Sequence, residues 1–204
     1  MSGGTRLTFQ DAYGLAEKVS KLLDPTVVRL KVVGSLRRRR TTIGDLEFLA
    51  RPPSSPDLFD GPSIVHTEYV RAVMEGLGKW IKGGPRMMQI TDLLGREGVH
   101  LELYLVHPPA CGCKDCRPWG PAAWGSMLAI RTGPEELSKY VVTVMRERGL
   151  YHDLGQVRKA KTKELVPTET EEEFFELAGV ECVPPSRREA QAAQLWAEYA
   201  SRRR

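Results

Sequence analysis

Long apolar runs are absent from this sequence of 204 residues, and their absence argues against a membrane-spanning protein. No window approaches the roughly 20 consecutive apolar residues that a transmembrane helix needs. The N-terminal segment MSGGTRLTFQ also lacks the apolar core of a secretory signal peptide. We therefore expect an intracellular, cytoplasmic protein without a membrane partner.

Cysteine and aromatic residues are scarce as well. The chain has 4 cysteines, and aromatic residues make up 7% of it. In an intracellular protein the thiols are expected to stay reduced, so disulfides are not predicted. The remaining composition, 41% hydrophobic and 27% charged with a net charge of +4, is typical of a soluble protein with a packed core. The slight basic excess is compatible with a polyanionic partner.

The hydrophobic pattern predicts an α+β fold. Apolar spacing of about 3.6 residues predicts helices, and runs that are β-branched or alternate with period two predict strands. The predicted helices span residues 8–23, 66–82, 134–149, 170–178 and the tail from 186. The predicted strands are TVVRLKVVG, DLEFLARP and ELVPT, together with a hairpin of RMMQITDLL and VHLELYLV. The Pro-rich and Gly-rich segments 52–62 and 107–121 predict loops.

Composition changes most at Gly133. The sequence therefore predicts two domains, a sheet-rich one over residues 1–133 with a Cys-rich loop at 107–121, and a helix-rich one over residues 134–204. No internal repeat is evident in the sequence.

Two carboxylates stand two residues apart in an apolar strand pattern. Residues at this spacing in a strand share a face, so Asp45 and Glu47 are expected to project together while Leu46 and Phe48 pack behind them. Adjacent carboxylates repel each other, and a divalent cation with a preference for hard oxygen ligands, such as Mg²⁺, would resolve the conflict. Glu102, in the later predicted strand VHLELYLV, is a candidate third ligand on a face that also carries His100 and Tyr104.

A glycine-serine turn precedes the paired acids. Gly34 permits close backbone approach, and Ser35 with the N–H groups of a short following helix could hold a phosphate. Arg37 and Arg38 follow within one turn and could neutralise it. Acids for two metal ions beside a phosphate-binding turn indicate phosphoryl-transfer chemistry.

The stretch VVGSLRRRRTTIGDLEFL resembles the signature of the nucleotidyltransferase superfamily, and its paired arginine and IGD resemble the family X DNA polymerases, the group that includes DNA polymerase beta. Three later stretches are similar to that family in the same order: HLELYLV, WGSMLAIRTGPEEL and ELVPTETEEEFFELAGVECVPPSRRE. The resemblance implies a palm with a mixed or antiparallel sheet, followed by a small α/β thumb. It implies a minimal form without a lyase domain.

The resemblance also implies a role for each matching residue. Asp45 and Glu47 would hold two Mg²⁺ or Mn²⁺ ions, and Glu102 would hold the catalytic one and draw the proton from the primer 3′-hydroxyl. The residues implied to bind the nucleotide are Gly34, Ser35, Arg38 and Gly44 at the triphosphate, and Ile130, Arg131, Thr132 and Gly133 near the sugar. The positive groups available for the DNA backbone are Arg37, Arg39, Arg40 and the terminal Arg202, Arg203 and Arg204.

The sequence departs from the family pattern at several of these positions. Glu47 and Glu102 stand where the family usually has aspartates, which moves each carboxylate by about one bond and would suit the larger Mn²⁺. Ile130-Arg131 replaces the aromatic pair that screens against ribonucleotides, so weak sugar discrimination is expected. The family has a cis peptide after its glycine, and Gly133-Pro134 suits it because proline lowers the cost of a cis bond to under about 1 kcal/mol.

The Cys-rich loop contains the spacing H-x3-C-x-C-x2-C. His107, Cys111, Cys113 and Cys116 are therefore candidate ligands of one structural Zn²⁺ ion. The alternative is an ordinary loop with three reduced thiols and an exposed His107. Cys182 lies far from this loop beside an apolar stretch and is expected to be a buried thiol.

The function predicted from these features is template-directed DNA polymerisation that fills short gaps in repair. The expected partners are gapped or primer-template DNA and a dNTP, and the expected state is a monomer of bacterial, phage or viral source. Two alternatives stay open at this point. One is a template-independent or RNA-modifying nucleotidyltransferase, and the other is a catalytically inactive DNA-binding descendant.

Overall fold

The structure is a computed structural model that describes residues 5–55, 64–107 and 123–202. The chain divides into two compact units, Met1–Pro121 and Ala122–Arg204. This boundary differs from the one that composition indicated at Gly133, because helix α4 (Trp124–Thr132) packs within the second unit. Gly125 of α4 lies against the backbone of Thr170, where an added Cβ would be 2.0 Å from the Thr170 carbonyl oxygen.

The first unit is built around a mixed sheet with helices on one face. Its helices are α1 (Phe9–Leu23), α2 (Gly34–Arg37) and α3 (Glu68–Leu77). Its strands are β1 (Leu7–Thr8), β2 (Arg29–Val32), β3 (Thr42–Ile43), β4 (Leu46–Arg51), β5 (Ser54–Ser55), β6 (Ile64–Val65), β7 (Lys79–Gly84), β8 (Met87–Thr91) and β9 (Leu101–Leu105). A single-turn 3₁₀ helix follows α1, and a second lies between β8 and β9.

The main sheet has five strands in the order β2-β4-β9-β8-β7. The β4–β9 pair is parallel and the other pairs are antiparallel, which gives the mixed sheet expected of the α+β fold. The predicted pairing of RMMQITDLL with VHLELYLV is confirmed, with Ile90 opposite Leu101. The described residues of the unit also form two small antiparallel pairs, β1 with β3 and β5 with β6. The second of them lies partly within the segment 52–62 that was predicted as a loop.

One face of this sheet is covered by α1 and α3. Alternate side chains of β4, including the fully buried Leu46 and Phe48, lie in the same core as the apolar stripes of both helices. The members from those two helices include Ala12, Leu15, Ala16, Val19, Leu23, Val70, Met74 and Leu77. Helix α1 begins at the predicted point, where the Thr8 hydroxyl oxygen accepts a hydrogen bond of 3.2 Å from the Asp11 N–H. The opposite face of β4 carries Glu47 and Arg51 beside the buried Leu49, and we refer to it as the polar face.

The helix predicted over residues 66–82 is too long, and this prediction is wrong at its C-terminal end. Helix α3 ends at Leu77, and Gly78 is extended at φ −179°. Residues Lys79–Gly84 form β7 instead, paired with β8 at the edge of the sheet. A Cβ on Gly78 would lie 2.4 Å from the Thr91 carbonyl oxygen, so glycine allows the chain to turn from helix to strand beside β8.

The second unit has four helices and a small antiparallel sheet among its described residues. The helices are α4, α5 (Glu135–Glu147), α6 (Glu171–Leu177) and α7 (Arg188–Ser201), and the strands are β10 (Leu150–Asp153), β11 (Gln156–Lys159) and β12 (Leu165–Val166). The strands pair in the order β10-β11-β12. The predicted helices from Pro134 and Thr170 are confirmed, and α6 carries a capping box of Thr170 and Glu173.

The second unit has its own core. Tyr140, Val141, Val157 and Phe174 are among the buried side chains that bring α5, β11 and α6 together. The Gly133–Pro134 peptide bond, at the junction of α4 and α5, is cis, as the sequence predicted. No helix in the described part of either unit is long and apolar enough to cross a membrane.

Candidate active site

Two of the three predicted metal ligands lie side by side on the polar face of the main sheet. Glu47 of β4 is the register partner of Glu102 of β9, and Glu102 is in turn the partner of Gln89 of β8. Because β4 and β9 are parallel neighbours, the two carboxylates leave the same face at the same level of the sheet. The predicted grouping of these acids on one face therefore agrees with the strand register.

Asp45 lies directly before β4. The Leu46 N–H donates a 3.0 Å hydrogen bond to the His100 carbonyl oxygen, which extends the β4–β9 pairing toward Asp45. Burial raises the pKa of the Asp45 carboxyl above its ordinary value, and the negative charge of Glu102 raises it further. His100 and a backbone hydrogen bond act in the opposite direction and are weaker. The Asp45 carboxyl is therefore harder to ionise than an exposed aspartate, and a bound cation would favour its charged form.

Two neighbouring side chains fix the Glu102 carboxylate. Gln89 Nε2 donates a 3.0 Å hydrogen bond to Glu102 Oε1, and the Tyr104 hydroxyl donates to Glu102 Oε2. The sequence pattern predicts Tyr104 on the face of Glu102, but Gln89 is not among the site residues predicted from the sequence. A signal was available, because Gln89 stands between the buried Met88 and Ile90 in an alternating strand.

Glu47 lies against the glycine of the glycine-serine turn. A Cβ added to Gly34 would fall 1.7 Å from Glu47 Oε2, and Gly34 has φ +65°, a conformation that L side chains rarely adopt. The Val33 N–H also donates a 2.9 Å hydrogen bond to the Glu47 carbonyl oxygen. Glycine is therefore required at position 34 both for the turn and for the close approach of the acid.

The rest of the glycine-serine turn forms α2 and the arginine segment. The Ser35 hydroxyl is buried and makes no hydrogen bond with the described residues, so it is an unsatisfied donor at the start of α2. Arg37 ends α2, Arg38 caps it, and Arg39 and Arg40 follow in the turn that leads to β3. Gly44 is exposed and directly precedes Asp45.

The three acids do not form a finished metal cage. Within residues 5–55, 64–107 and 123–202, no group of three or more His, Cys, Asp or Glu side chains is placed to hold one ion. Glu47 contacts Gly34, and Glu102 is held by Gln89 and Tyr104. The donor set nevertheless fits a hard divalent cation, because it consists of carboxylate oxygens.

The predicted sugar-binding residues belong to the second unit. Ile130, Arg131 and Thr132 form the last turn of α4, and Thr132 is fully buried. Gly133 caps the helix at φ +67° and ψ −156°, which favours glycine.

The candidate zinc ligands are described only in part. His107 is buried, and its Nε2 donates a 2.6 Å hydrogen bond to the Pro85 carbonyl oxygen. The expectation of an exposed His107 in the zinc-free alternative is therefore wrong. The Leu105 N–H donates a 2.9 Å hydrogen bond to the Arg86 carbonyl oxygen, which brings Pro85 beside this end of β9. Cys111, Cys113 and Cys116 lie outside the described residues. Cys182 is half-buried, and burial raises the pKa of its thiol.

Comparison with known families gives one result for the second unit. Residues 127–189 match the family model described as DNA polymerase beta thumb. A comparison with curated proteins finds no match to this chain. The matched segment runs from α4 through the start of α7 and so contains most of the second core. The match supports a relationship with the beta-like family X nucleotidyltransferases, whose thumb implies DNA binding.

Proposed function

We propose that this protein is a template-directed DNA polymerase that transfers a nucleotidyl group from a dNTP to a primer 3′-hydroxyl and fills short gaps in DNA repair. The observation that carries the proposal is the strand register that aligns Glu47 with Glu102, beside Asp45, on the polar face of the main sheet. The thumb match over residues 127–189 makes a beta-like polymerase the chemistry best suited to these acids.

The carboxylates would serve as cation ligands and as a proton acceptor. Asp45 and Glu47 would hold two Mg²⁺ or Mn²⁺ ions, and Glu102 would hold the one beside the primer terminus. The ions would supply the positive charge that phosphoryl transfer requires at the attacking and leaving oxygens. For this role Glu47 would have to turn away from Gly34. Glu102 would also accept the proton of the 3′-hydroxyl, directly or through a water molecule.

The glycine-serine turn would hold the triphosphate. The unsatisfied Ser35 hydroxyl would donate to a phosphate oxygen, and Arg38 would add a charge-assisted hydrogen bond. Gly34 and Gly44 would let phosphate oxygens approach the backbone closely, since neither glycine carries a Cβ. The α-phosphate would then be attacked and pyrophosphate released.

One observation favours a second candidate, a catalytically inactive DNA-binding descendant. In the described residues the acids form no three-ligand metal group, and the two glutamates stand in contacts that a metal site does not need. In this alternative the thumb would still bind DNA while the acids would have a structural role only.

Primer extension separates these candidates. The protein would be supplied with Mg²⁺ or Mn²⁺ and four dNTPs on gapped, primer-template and single-stranded DNA. We expect templated incorporation on gapped DNA, and a loss of at least about a hundredfold in Asp45→Asn and Glu102→Gln, because both remove a charge from the reacting centre. Glu97→Gln is the matched control, since Glu97 is an exposed acid in the β8–β9 connection.

The outcomes assign the function directly. Extension of single-stranded DNA without copying would indicate the template-independent enzyme. DNA binding with no incorporation by the parent protein in either metal would indicate the inactive descendant. If Glu102→Gln incorporated nucleotides at the rate of the parent protein, Glu102 would be neither the cation ligand nor the proton acceptor.

A further inference from the structure

A groove on the first unit lies outside the polar face that carries the acids. It has a volume of about 710 Å³ and lies between α1 and the β2–α2 segment. Its apolar wall includes Ala16, Val32 and Leu36. None of Asp45, Glu47 and Glu102 lines it, although Arg37 and Arg39 of the arginine segment do, so the three acids do not account for this groove.

Two aromatic rings stand at this groove. Phe9 and Tyr13 are one helical turn apart on α1, and their rings stack with centroids 6.0 Å apart and planes inclined by 30°. Tyr13 is 52% exposed, although large aromatic side chains are usually buried. Phe9 is half-buried against the core and supports the exposed Tyr13 ring, on which a further flat ring can stack.

The polar side chains of the groove are mostly cationic. Lys21, Arg37 and Arg39 line it together with a single carboxylate, Glu17. The whole positive excess of the chain lies in this unit: residues 1–121 contain 17 Lys and Arg against 13 Asp and Glu, whereas residues 122–204 contain 13 of each. The groove therefore combines stacked aromatic rings with local and regional positive charge.

We propose that this groove binds single-stranded DNA. Unpaired bases would stack on the Phe9–Tyr13 pair, and the phosphates between them would lie near the cationic side chains. An apolar peptide would not use this charge, and a duplex would keep its bases paired and away from the rings. The binding does not depend on nucleotidyl transfer, and it assigns a place for unpaired DNA that is separate from the acids.

Fluorescence anisotropy with a labelled oligothymidylate, measured without metal or nucleotide, tests the stacking. Tyr13→Ala is expected to weaken binding by at least about fivefold, since one base–aromatic stack contributes about 1–3 kcal/mol. Tyr13→Phe keeps a ring and should bind like the parent. Tyr69→Ala is the matched control, because Tyr69 is a 63% exposed tyrosine on α3 that does not line the groove.

Salt dependence tests the charge. Arg39→Ala should weaken binding and lower the slope of log affinity against log salt by about 0.7, the value for one phosphate contact on a single strand. Lys18→Ala removes a cation from an exposed position of α1 outside the groove, and its slope should stay closer to that of the parent. An oligouridylate of equal length tests whether the groove accepts RNA by the same chemistry.

Photocrosslinking locates the strand. An oligonucleotide with 5-iodouracil should crosslink to Phe9 or Tyr13, as read by mass spectrometry of the peptides. Crosslinks confined to other segments, or affinities of Tyr13→Ala and Arg39→Ala equal to those of their controls, would overturn the proposal. Asp45→Asn should still bind the oligonucleotide while it loses incorporation, so the failure of one proposal is distinguishable from the failure of the other.

Discussion

At the scale of single residues, Gly34 and Glu47 depend on each other. Gly34→Ala should destabilise the protein by about 1–2 kcal/mol through its positive φ alone. The new Cβ would also displace the Glu47 carboxylate from position 34, which should add on the order of 1 kcal/mol to this destabilisation. In a Glu47→Ala background only the backbone cost should remain. Urea unfolding of the four proteins in this double-mutant cycle measures the coupling.

Gly44→Ala is the control for this cycle. A Cβ on Gly44 would meet nothing within 4 Å, so its cost should be small. An equal cost of Gly34→Ala with and without the Glu47 side chain would show that the two groups are energetically independent.

The Tyr104 hydroxyl defines a second prediction at this scale. It donates to Glu102, so Tyr104→Phe should leave the carboxylate less well placed while keeping the ring that packs beside it. We expect single-turnover incorporation to fall by about tenfold to a hundredfold, because displacements near 1 Å have costs of this size in catalysis. Nucleotide affinity should change little. An unchanged rate would mean that the Tyr104 bond does not position Glu102 during the reaction.

The residue pattern predicted the face on which Glu47 lies better than the contacts of the acids. Period two in DLEFL placed Leu46 and Phe48 behind Glu47, and the structure buries both. The contacts of Glu102 with Gln89 and of Glu47 with Gly34 could not be predicted in this way. They depend on the pairing of separate strands and on side-chain rotamers, which local spacing does not determine.

At the scale of secondary-structure elements, the sequence predicts the start of a helix accurately where an N-cap residue marks it. Thr8 and Thr170 accept from backbone N–H groups at the first turns of α1 and α6, and both helices were predicted from these positions. The start of β7 was read as helix because apolar Trp80 and Ile81 continue the helical spacing of α3. Hydrogen bonding to β8 decides in favour of the strand, and the local sequence does not contain that information.

The β10–β11 hairpin was missed for a related reason. Its loop is Leu154-Gly155, and both residues have positive φ, at 48° and 87°. Two-residue hairpin loops of this kind usually begin with asparagine, aspartate or glycine, because leucine is strained at positive φ. The sequence thus lacked the usual turn signal, and the sheet partners of β11 stabilise a turn that the local residues do not favour.

The buried ion pair of the second unit gives a third prediction. Arg188 Nη1 donates to Glu171 Oε1 at 2.8 Å, and the two side chains are 1% and 8% exposed. Glu171→Gln should lower the free energy of unfolding by about 3–5 kcal/mol, because Arg188 would keep its buried charge without a countercharge. Glu135→Gln breaks the exposed pair with Lys139 and should lower the free energy of unfolding far less than Glu171→Gln, because solvent screens an exposed ion pair. Similar costs measured by urea unfolding would show that the buried charge is compensated elsewhere.

His152 on β10 gives a pH-dependent prediction. Burial lowers its pKa below the ordinary 6.5, and Arg131 acts in the same direction more weakly, against the opposing charge of Asp153. The folded state therefore binds this proton less readily than the unfolded state. The contribution of neutral His152 to the free energy of unfolding should be fully present above pH 6.5. It should fall as the pH drops from 6.5 to the pKa of the folded state. His152→Gln should flatten this part of the profile, and an unchanged profile in thermal unfolding would assign the slope to other groups.

At the scale of the whole molecule, chemistry and charge are distributed unequally between the units. The candidate acids, the glycine-serine turn and the entire positive excess belong to the first unit, and the thumb match belongs to the second. Each unit also has its own apolar core. Mutations in the first unit are therefore expected to change cation binding and single-strand binding. Mutations in the core of the second unit are expected to leave both largely unchanged.

The separate core of the second unit leads to the last prediction. A fragment of residues 122–204 contains the β10-β11-β12 sheet, the core around Val141 and Phe174, and the Arg188–Glu171 pair. It is long enough to bury a core of its own, so it should unfold in one cooperative urea transition followed by circular dichroism. Glu171→Gln should destabilise the fragment and the full chain by similar amounts, since the ion pair itself lies inside the fragment. A fragment without a cooperative transition would show that the second core needs the first unit in order to fold.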